Sequence, residues 1–484
     1  MFKRTLALTV LVLVALSSSL MAAPLSRADI EYMSKKSGVP MEAFAVAMVP
    51  MDTTEAAFLY QPDKPMNPAS AMKLVTTYSA LELLGPHHQW GTNVYADGAV
   101  GKDTLDGDLY VRLTGDPQLT EDRLWQVLRD VRNSGVKHVT GNIVIDASRI
   151  KMPRHPVKFD DTGGRPYAPF LVEPSPFLVN YNLHHLQGRI VGNTAIATLS
   201  PTIPSVELVN QLRVAGTSCP RADHLLSIRH TPPPNAKTQV VLSGDVSPTC
   251  KLNRYLSVVP HQVYTTELVG HIWQQLGGTL RGAVGFGVVP RGATVLAQTY
   301  SRDVATMMRD INKWSNNVMA RQMFLNIGAT HRVNTDADDA AAARRAVNEL
   351  LRSKGIATKG MVIENGSGLS RNERLTVRQT AEMLEAAWHS RYAAEFIASL
   401  PLVALDGTLR RRMRGSSLVG EGHLKTGSLN NARALAGYMR DQNGNGWVLV
   451  VYVNHARAGA ALPVIDEALV KWHRNSGSDT VAKN

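Results

Sequence analysis

Apolar and polar residues alternate along "GDLYVRLTGDPQLT", residues 107–120, as in a β-strand that ends at a Gly-Asp-Pro turn. A helical pattern, "EDRLWQVLRDVRNSG", and a further strand, "GNIVIDAS", follow, so this stretch reads as a small α+β unit. From Lys151 to about His261 the chain is rich in Pro, Ser, Thr and Asn, and its brief apolar runs predict short strands. A long helix pattern returns in "VYTTELVGHIWQQLGG", gives way to a strand, and resumes in "RDVATMMRDINKWSNNVMARQMFLNIG". The chain is expected to stay largely helical from there to Val419. Near the end, "HLKTGSLNNARALAGYMRDQNGNGWVLVVYVNH" holds three strand candidates, the last two joined by a Gly/Asn turn at Gln442 to Gly446, and "LPVIDEALVKWHRN" reads as a final helix. Antiparallel strands flanked by helices predict an α/β (α+β) fold with a sheet packed between helical layers. No internal repeat is visible.

At the N-terminus, Lys3 and Arg4 precede a mostly apolar run from Thr5 to Leu16, and "SSSLMAAP" supplies small residues before Pro24. This is the grammar of a secretory signal, with cleavage expected near Ala22 or Ala23. The apolar run is nearer signal length than the ~20 residues a spanning helix needs, so no transmembrane anchor is expected after cleavage. Roughly 460 residues would remain, with room for about three domains. The formal charge of +12 suits an anionic neighbour such as an envelope surface. Nucleic acid is a poor fit: the basic residues are scattered apart from "RRRMR" at Arg410 to Arg414, and aromatics are only 6% of the chain, too few for an evident stacking platform. An oxidising compartment favours a single disulfide between Cys219 and Cys250, with two free buried thiols as the alternative. Two cysteines do not make a zinc cluster, and no cofactor is expected.

In "NPASAMKLVTTYSALELLG", Asn67 is a good N-cap, Pro68 suits the first helical position, and Gly85-Pro86 gives a stop. A helix beginning almost at Ser70 places Lys73 on the same face, so the amine can reach the hydroxyl, and the positive helix end favours a developing alkoxide. Ser-x-x-Lys alone is unselective, since a chain of this length contains about one or two by chance. Two later triplets sharpen it. Ser315-Asn316-Asn317 supplies Ser-x-Asn, and Lys425-Thr426-Gly427 supplies Lys-Thr-Gly, which chance would give roughly one time in ten. In order, the three match the motif set of serine acyltransferases of the penicillin-binding and β-lactamase type. Ser370-Arg371-Asn372 and Ser428-Leu429-Asn430 compete for the middle motif, but the second is too close to Lys-Thr-Gly to form a separate wall. Ser315 is preferred because its triplet interrupts an amphipathic helical stretch, where a polar break can point into a pocket; a helix terminus with two caps is the other reading.

The chemistry explains the residue types. Without a metal, an acyltransferase needs a serine hydroxyl whose proton can leave at neutral pH, and Lys73, kept neutral by neighbouring cations, could accept it. Lys425 would add positive charge opposite, lowering the Lys73 pKa and attracting a substrate carboxylate; a solvated lysine on an edge strand is the alternative. Ser315 can relay a proton to a leaving amine, Asn317 can hydrogen-bond a substrate amide, and Gly427 can admit substrate backbone close to the strand.

With these residues the sequence resembles the D-alanyl-D-alanine carboxypeptidase/endopeptidases of the penicillin-binding protein 4 (DacB) type, which are serine penicillin-binding proteins. The three motif stretches, "GDLYVRLTGDPQLT", "GNIVIDAS" and "ENGSGLSRNERLT" carry the likeness over nearly the whole mature chain. Roughly 240 residues between Lys73 and Ser315 far exceed an ordinary loop, so an inserted folded region is required. The resemblance implies a β-lactamase-like transpeptidase domain with two nested accessory domains. The expected division is a signal at 1–23, catalytic parts at 24–90 and 292–475, accessory domain II at 91–165 and 263–291, a β-rich accessory domain III at 166–262, and a flexible tail at 476–484.

The same resemblance implies a periplasmic enzyme that acts on peptidoglycan peptides and is acylated by β-lactams. Ser70 would attack the carbonyl of the penultimate D-Ala, the backbone N–H groups of Ser70 and Ser428 would form an oxyanion hole, Thr426 and Ser428 would hold the terminal carboxylate, and water would hydrolyse the ester. Arg371, in "SGLSR", becomes a cleft residue. Asp160 and Asp161 become counterparts of an insertion carboxylate that binds a diaminopimelate amine, ordinary loop carboxylates being the other reading. The alternatives are a β-lactamase or esterase-like hydrolase, against which the long insertion argues, and a catalytically weak wall-binding protein that keeps the fold. The lipase-like Gly-x-Ser-x-Gly elbow is absent.

Overall fold

The computed structural model describes residues 23–51, 58–154, 159, 163, 165–231 and 237–477. The expected secretory signal, Asp160 and Asp161, and most of the expected tail lie outside them. Three C-terminal strands, Gly422–Leu429, Ala432–Arg440 and Gly446–Asn454, pair as antiparallel neighbours where the pattern placed them. Two N-terminal strands, Phe44–Pro50 and Phe58–Tyr60, complete a five-stranded sheet by pairing beyond Gly446–Asn454. The Phe44–Pro50 strand escaped the sequence reading for a physical reason. It is buried on both faces, so its sequence, FAVAMVP, is a continuous apolar run without alternation.

Its side chains divide between two cores. Phe44, Val46 and Met48 join Leu449, Val451 and Trp472 beneath the terminal helices Arg27–Ser37 and Ala458–Asn475. Ala45 and Ala47 face the opposite way, into a core with Val448, Val450 and Tyr452 and the helices Met72–Leu84, Val304–Trp314, Asn317–His331, Asp339–Ser353 and Val377–Trp388. Small residues on that side let the helices approach closely. Ser70 and Lys73 belong to the helical layer, whereas Lys425 lies on the sheet's edge strand, so the site forms where the two layers meet.

Between the helices Met72–Leu84 and Val304–Trp314 the chain builds a second body of structure. A seven-stranded mixed sheet is organised around Gly91–Gly101 and Thr104–Leu113, and shares a core with the helices Glu121–Asn133 and His261–Gln275. Its last strand, Thr294–Tyr300, pairs with Gly91–Gly101, so this sheet reaches past residue 292, where a return to the catalytic part was expected. Two three-stranded sheets lie within residues 184–256, and Leu186, Val206 and Leu242 carry the same hydrophobic cluster into them. Cys219 and Cys250 are joined as a disulfide with Cα atoms 5.4 Å apart.

The expected helical content up to Val419 is only partly present. The last helix of this run ends at Ser399, and residues 400–421 form turns around one short 3₁₀ segment, Gly407–Leu409. Ala404 and Met413 there have φ of 62° and 53°, which no α-helix accommodates. Among the described residues no helix is long and apolar enough to cross a membrane.

The cross-link spans 31 residues of chain, for which loop closure in the unfolded state predicts about 3–4 kcal/mol of stabilisation. Replacing both cysteines with serine is expected to lower the unfolding free energy by that amount, read in urea as a fall in midpoint at unchanged m. An unchanged midpoint would mean that the surrounding strands hold this segment without the cross-link.

Candidate active site

The Ser70 turn is fixed from both sides. Asn67 accepts the Ala69 backbone N–H at 2.9 Å and donates from Nδ2 to the Ser370 carbonyl at 2.8 Å. The Asn454 side chain, at the end of a sheet strand, accepts from the Asn67 N–H at 2.7 Å and donates to the Asn67 carbonyl at 2.9 Å. Between these anchors Ala69 has φ of 45°, a conformation that is strained for any residue with a Cβ and that persists only where surrounding contacts impose it. A 3₁₀ turn, Ala69–Ala71, therefore carries Ser70, and the α-helix begins at Met72 rather than at the serine.

Two glycines make room for this turn. A Cβ on Gly368 would lie 1.9 Å from the Ala69 carbonyl oxygen, and one on Gly427 would lie 2.6 Å from the Pro68 carbonyl oxygen. Gly427 was expected to admit substrate backbone. Strand alternation points its α-carbon face inward, where the serine turn lies close.

Lys73 is completely buried, one turn after the partly exposed Ser70. Its Nζ lies 3.1 Å from Ser70 Oγ and 2.7 Å from Asn317 Oδ1, and it also donates to the Ser367 carbonyl. Burial drives its pKa well below that of an ordinary lysine; Lys425 pushes it further down, Glu373 opposes, and Arg321 adds to the depression. Lys425 is completely buried too, which removes the solvated edge-strand reading. Its Nζ contacts Ser315 Oγ at 2.9 Å and the Thr426 carbonyl at 2.7 Å, and burial lowers its pKa to about 7.

Ser315 and Asn317 arrive from a helix break. Val304–Trp314 ends with Ser315 in the left-handed region at φ 57°, and Asn316 caps the next helix by accepting the Met319 N–H. The two readings of this triplet are thus both physical: the caps are what turn Ser315 and Asn317 toward the lysines. Asn312 secures the break by donating to Thr77 Oγ1 at 3.1 Å and to Ser399 Oγ at 2.9 Å, and Lys313 pairs with Asp406 at 2.5 Å. Asn317 also donates to the Phe170 carbonyl at 3.1 Å, so its amide already has protein partners at both ends.

The rival triplets do other things. Ser370 Oγ accepts the N–H groups of Asn372 and Glu373, while Ser428 is exposed on the strand. Arg371 is half-buried, stacks its guanidinium 5.1 Å from the Phe159 ring centre, and reaches Asn431 Oδ1 at 3.4 Å, beside the Lys-Thr-Gly strand. Thr426 Oγ1 donates to Thr408 Oγ1 at 2.8 Å. From Ser315 and Asn317 a cavity of about 700 Å³ runs toward Tyr181 and Tyr255. A larger one, about 920 Å³, is lined by Glu173, Phe324 and Ile363; Arg321 also lines it, and neither Ser70 nor Lys425 does. Sequence reading missed Ser367, Arg321 and Glu373, although Ser367 and Glu373 lie in the segment "ENGSGLSRNERLT".

Residues 26–476 match the D-Ala-D-Ala carboxypeptidase 3 (S13) family. The chain is 29% identical over 453 residues to a D-alanyl-D-alanine carboxypeptidase of Actinomadura sp. (strain R39), covering 89% of this chain and 81% of that protein. It is 25% identical over 417 residues to the D-alanyl-D-alanine carboxypeptidase DacB of Haemophilus influenzae, covering 84% of each. The crystal structure of penicillin binding protein 4 (dacB) from Haemophilus influenzae superposes with a TM-score of 0.73 at 22% identity, over 92% of this chain and 98% of that one, so the two share a fold.

The buried Lys425 gives a stability test with a definite sign. Its folded pKa, about 7, lies below the ordinary lysine value, so the unfolded chain binds more protons between roughly pH 7 and 10.4 and stability rises across that window. Lys425→Met keeps the bulk and removes the desolvated charge. It is expected to raise Tm by a few degrees at pH 6–7, with the gain shrinking toward pH 10. A fall in Tm at pH 6 would show that the contacts to Ser315 and Thr426 outweigh the burial penalty.

Proposed function

The chain belongs to the D-Ala-D-Ala carboxypeptidase 3 (S13) family, and we propose that it is a periplasmic serine D,D-carboxypeptidase and D,D-endopeptidase that acts on peptidoglycan peptides through an acyl-enzyme on Ser70. The observation that carries this reading is the set of contacts around Lys73 Nζ. A neutral amine has two N–H donors and one lone pair. Asn317 Oδ1 and the Ser367 carbonyl can only accept, so they take the two donors, and the lone pair is left for the Ser70 hydroxyl at 3.1 Å. Burial and the neighbouring cations hold the amine in that neutral form.

The placement supports the following steps. Ser70 Oγ attacks the carbonyl carbon of the penultimate D-Ala as its proton passes to Lys73. The backbone N–H groups of Ser70 and Ser428 receive the developing oxyanion. Lys425 and Ser315, 2.9 Å apart, form a proton route to the leaving amine, whose C–N bond breaks to leave an ester on Ser70. Thr426 and Ser428 hold the terminal carboxylate, with Arg371 beside them, and water then hydrolyses the ester. In a cross-linked peptide the leaving amine belongs to a second stem, so the same steps cut a cross-link. A β-lactam acylates Ser70 by the same attack on its ring amide.

Labelling with a fluorescent penicillin and mass spectrometry of incubated peptidoglycan fragments test the reading together. Ser70→Ala is expected to abolish both labelling and D-Ala release with the fold intact, because Asn67 and not the Ser70 side chain anchors the turn. Lys73→Ala is expected to slow acylation by about 10²–10⁴-fold, the usual contribution of a positioned base. Loss of one D-Ala identifies carboxypeptidase action, and conversion of cross-linked dimers to monomers identifies endopeptidase action. Hydrolysis that survives in Ser70→Ala would overturn the mechanism.

A further inference from the structure

Behind Lys73 lies a carboxyl group that these steps do not use. Glu373 is completely buried. Its Oε1 accepts the backbone N–H groups of Asn365 at 3.2 Å and Gly366 at 3.1 Å, and among the described residues Oε2 has no hydrogen-bond partner. A buried carboxyl group with half of its acceptor capacity unused is destabilising, so a fold needing only a loop anchor would be better served by an amide or hydroxyl. The two N–H contacts shape the loop at residues 364–373, which closes the rear of the site. From this loop the Ser367 carbonyl accepts from Lys73, the Gly366 carbonyl accepts from Thr76 Oγ1 at 2.6 Å, and Gly368 packs under Ala69. Arg321 reaches the same loop, 3.4 Å from Ser367 Oγ.

We propose that Glu373 is a positioning residue for Lys73: its carboxyl group holds the Ser367 carbonyl against the amine and, through its own protonation, sets how readily that amine takes the Ser70 proton. The inference rests on the reading of Lys73 as the base. The charged groups that bear on Glu373 are Lys73 from the Ser70 helix, Glu364 from the start of the loop, and Arg321 from the helix Asn317–His331; Lys425 bears on Lys73 from the sheet. Burial raises the Glu373 pKa to about 7. Below that pH the carboxyl group is neutral, and Lys73 feels chiefly Lys425 and Arg321, which favour the free amine. Above it the carboxylate stabilises the ammonium and draws the Lys73 pKa up. The pair thus broadens the pH range over which the base switches on, instead of leaving one sharp step.

The test is the pH profile of Ser70 acylation by a chromogenic β-lactam. Glu373→Gln keeps an oxygen for the Asn365 and Gly366 N–H groups and removes the titrating charge. The acidic limb is expected to move down by about one pH unit and to steepen. Glu373→Ala, which also frees the loop, is expected to slow acylation about 10- to 100-fold at every pH. A Glu373→Gln profile that superimposes on the wild type while Tm changes would assign Glu373 a structural role only and overturn the proposal, leaving Ser70 and Lys73 as proposed. Failure of the wild type to acylate at all would overturn the functional reading itself. Should Glu373→Gln not fold, carboxyl-carbon NMR of the wild type labelled at glutamate Cδ decides the matter. One glutamate should titrate near neutrality, with a midpoint that moves when Ser70 is acylated. Absence of any glutamate midpoint above about 6 would overturn the proposal.

Discussion

Two lysine amines held out of water within reach of two serine hydroxyls set the terms for the rest of the catalytic half. Lys73 and Lys425 are both fully buried, and among the described residues neither forms an ion pair with a carboxylate. Their direct hydrogen-bond partners are neutral: Ser70, Asn317 and Ser367 for one, Ser315 and Thr426 for the other. An ammonium in such a place is costly, and the least costly response is for the amine to lose its proton. Neutral acceptors satisfy the N–H groups without stabilising the charge. A carboxylate in contact with either amine would hold it as an ammonium with no lone pair to accept a proton; Glu373, whose charge bears on Lys73, instead accepts the backbone N–H groups of Asn365 and Gly366.

That chemistry demands close approach by segments far apart in the chain. The serine turn is wedged between Gly368 and Gly427, with Ala69 forced to a positive φ, and the reciprocal bonds between Asn67 and Asn454 tie it to the sheet. Asn312 binds the Ser315 break to the Ser70 helix through Thr77, and Lys313 binds it to Asp406. The strain at Ala69 is thereby offset by contacts from several independent segments. Such an arrangement holds the Ser70 side chain more firmly than the stability of any one helix could.

The three motifs were legible because each couples a reactive side chain to a fixed local spacing, and such spacing survives in one dimension. Lys73 follows Ser70 by one helical turn, and the strand alternation around Lys425 is visible in "HLKTGSL". The C-terminal strands were equally visible, since their turn residues stand out at Gln442 to Gly446. Burial of charge was not legible. Arg321 lies in a helix where an exposed arginine would read identically, and only the packing of Glu173 and Ser367 against it reveals its role. Gly427 was legible only in part: a missing side chain says that something comes close without saying what, and the serine turn is one such neighbour. The helical expectation up to Val419 failed over its last stretch because Pro401, Gly407 and Gly415 were passed over as helix breakers, while the positive φ of Ala404 and Met413 leaves no trace in residue type.

The Phe44–Pro50 strand has a consequence for when this site can exist. It sits between Phe58–Tyr60 and Gly446–Asn454, with Phe44 opposite Val453, so the sheet joins residues separated by roughly 400 positions. During synthesis the first strands and the Ser70 helix emerge early and have no sheet to join. The intervening segment, whose contacts are largely its own, has the time to fold first. Only when the last three strands follow does the central strand gain its neighbour, and only then do Lys425 and Asn454 close around Ser70. An unfinished chain therefore carries the Ser70 turn without Lys425 and Asn454, which both lie within about the last eighth of the sequence.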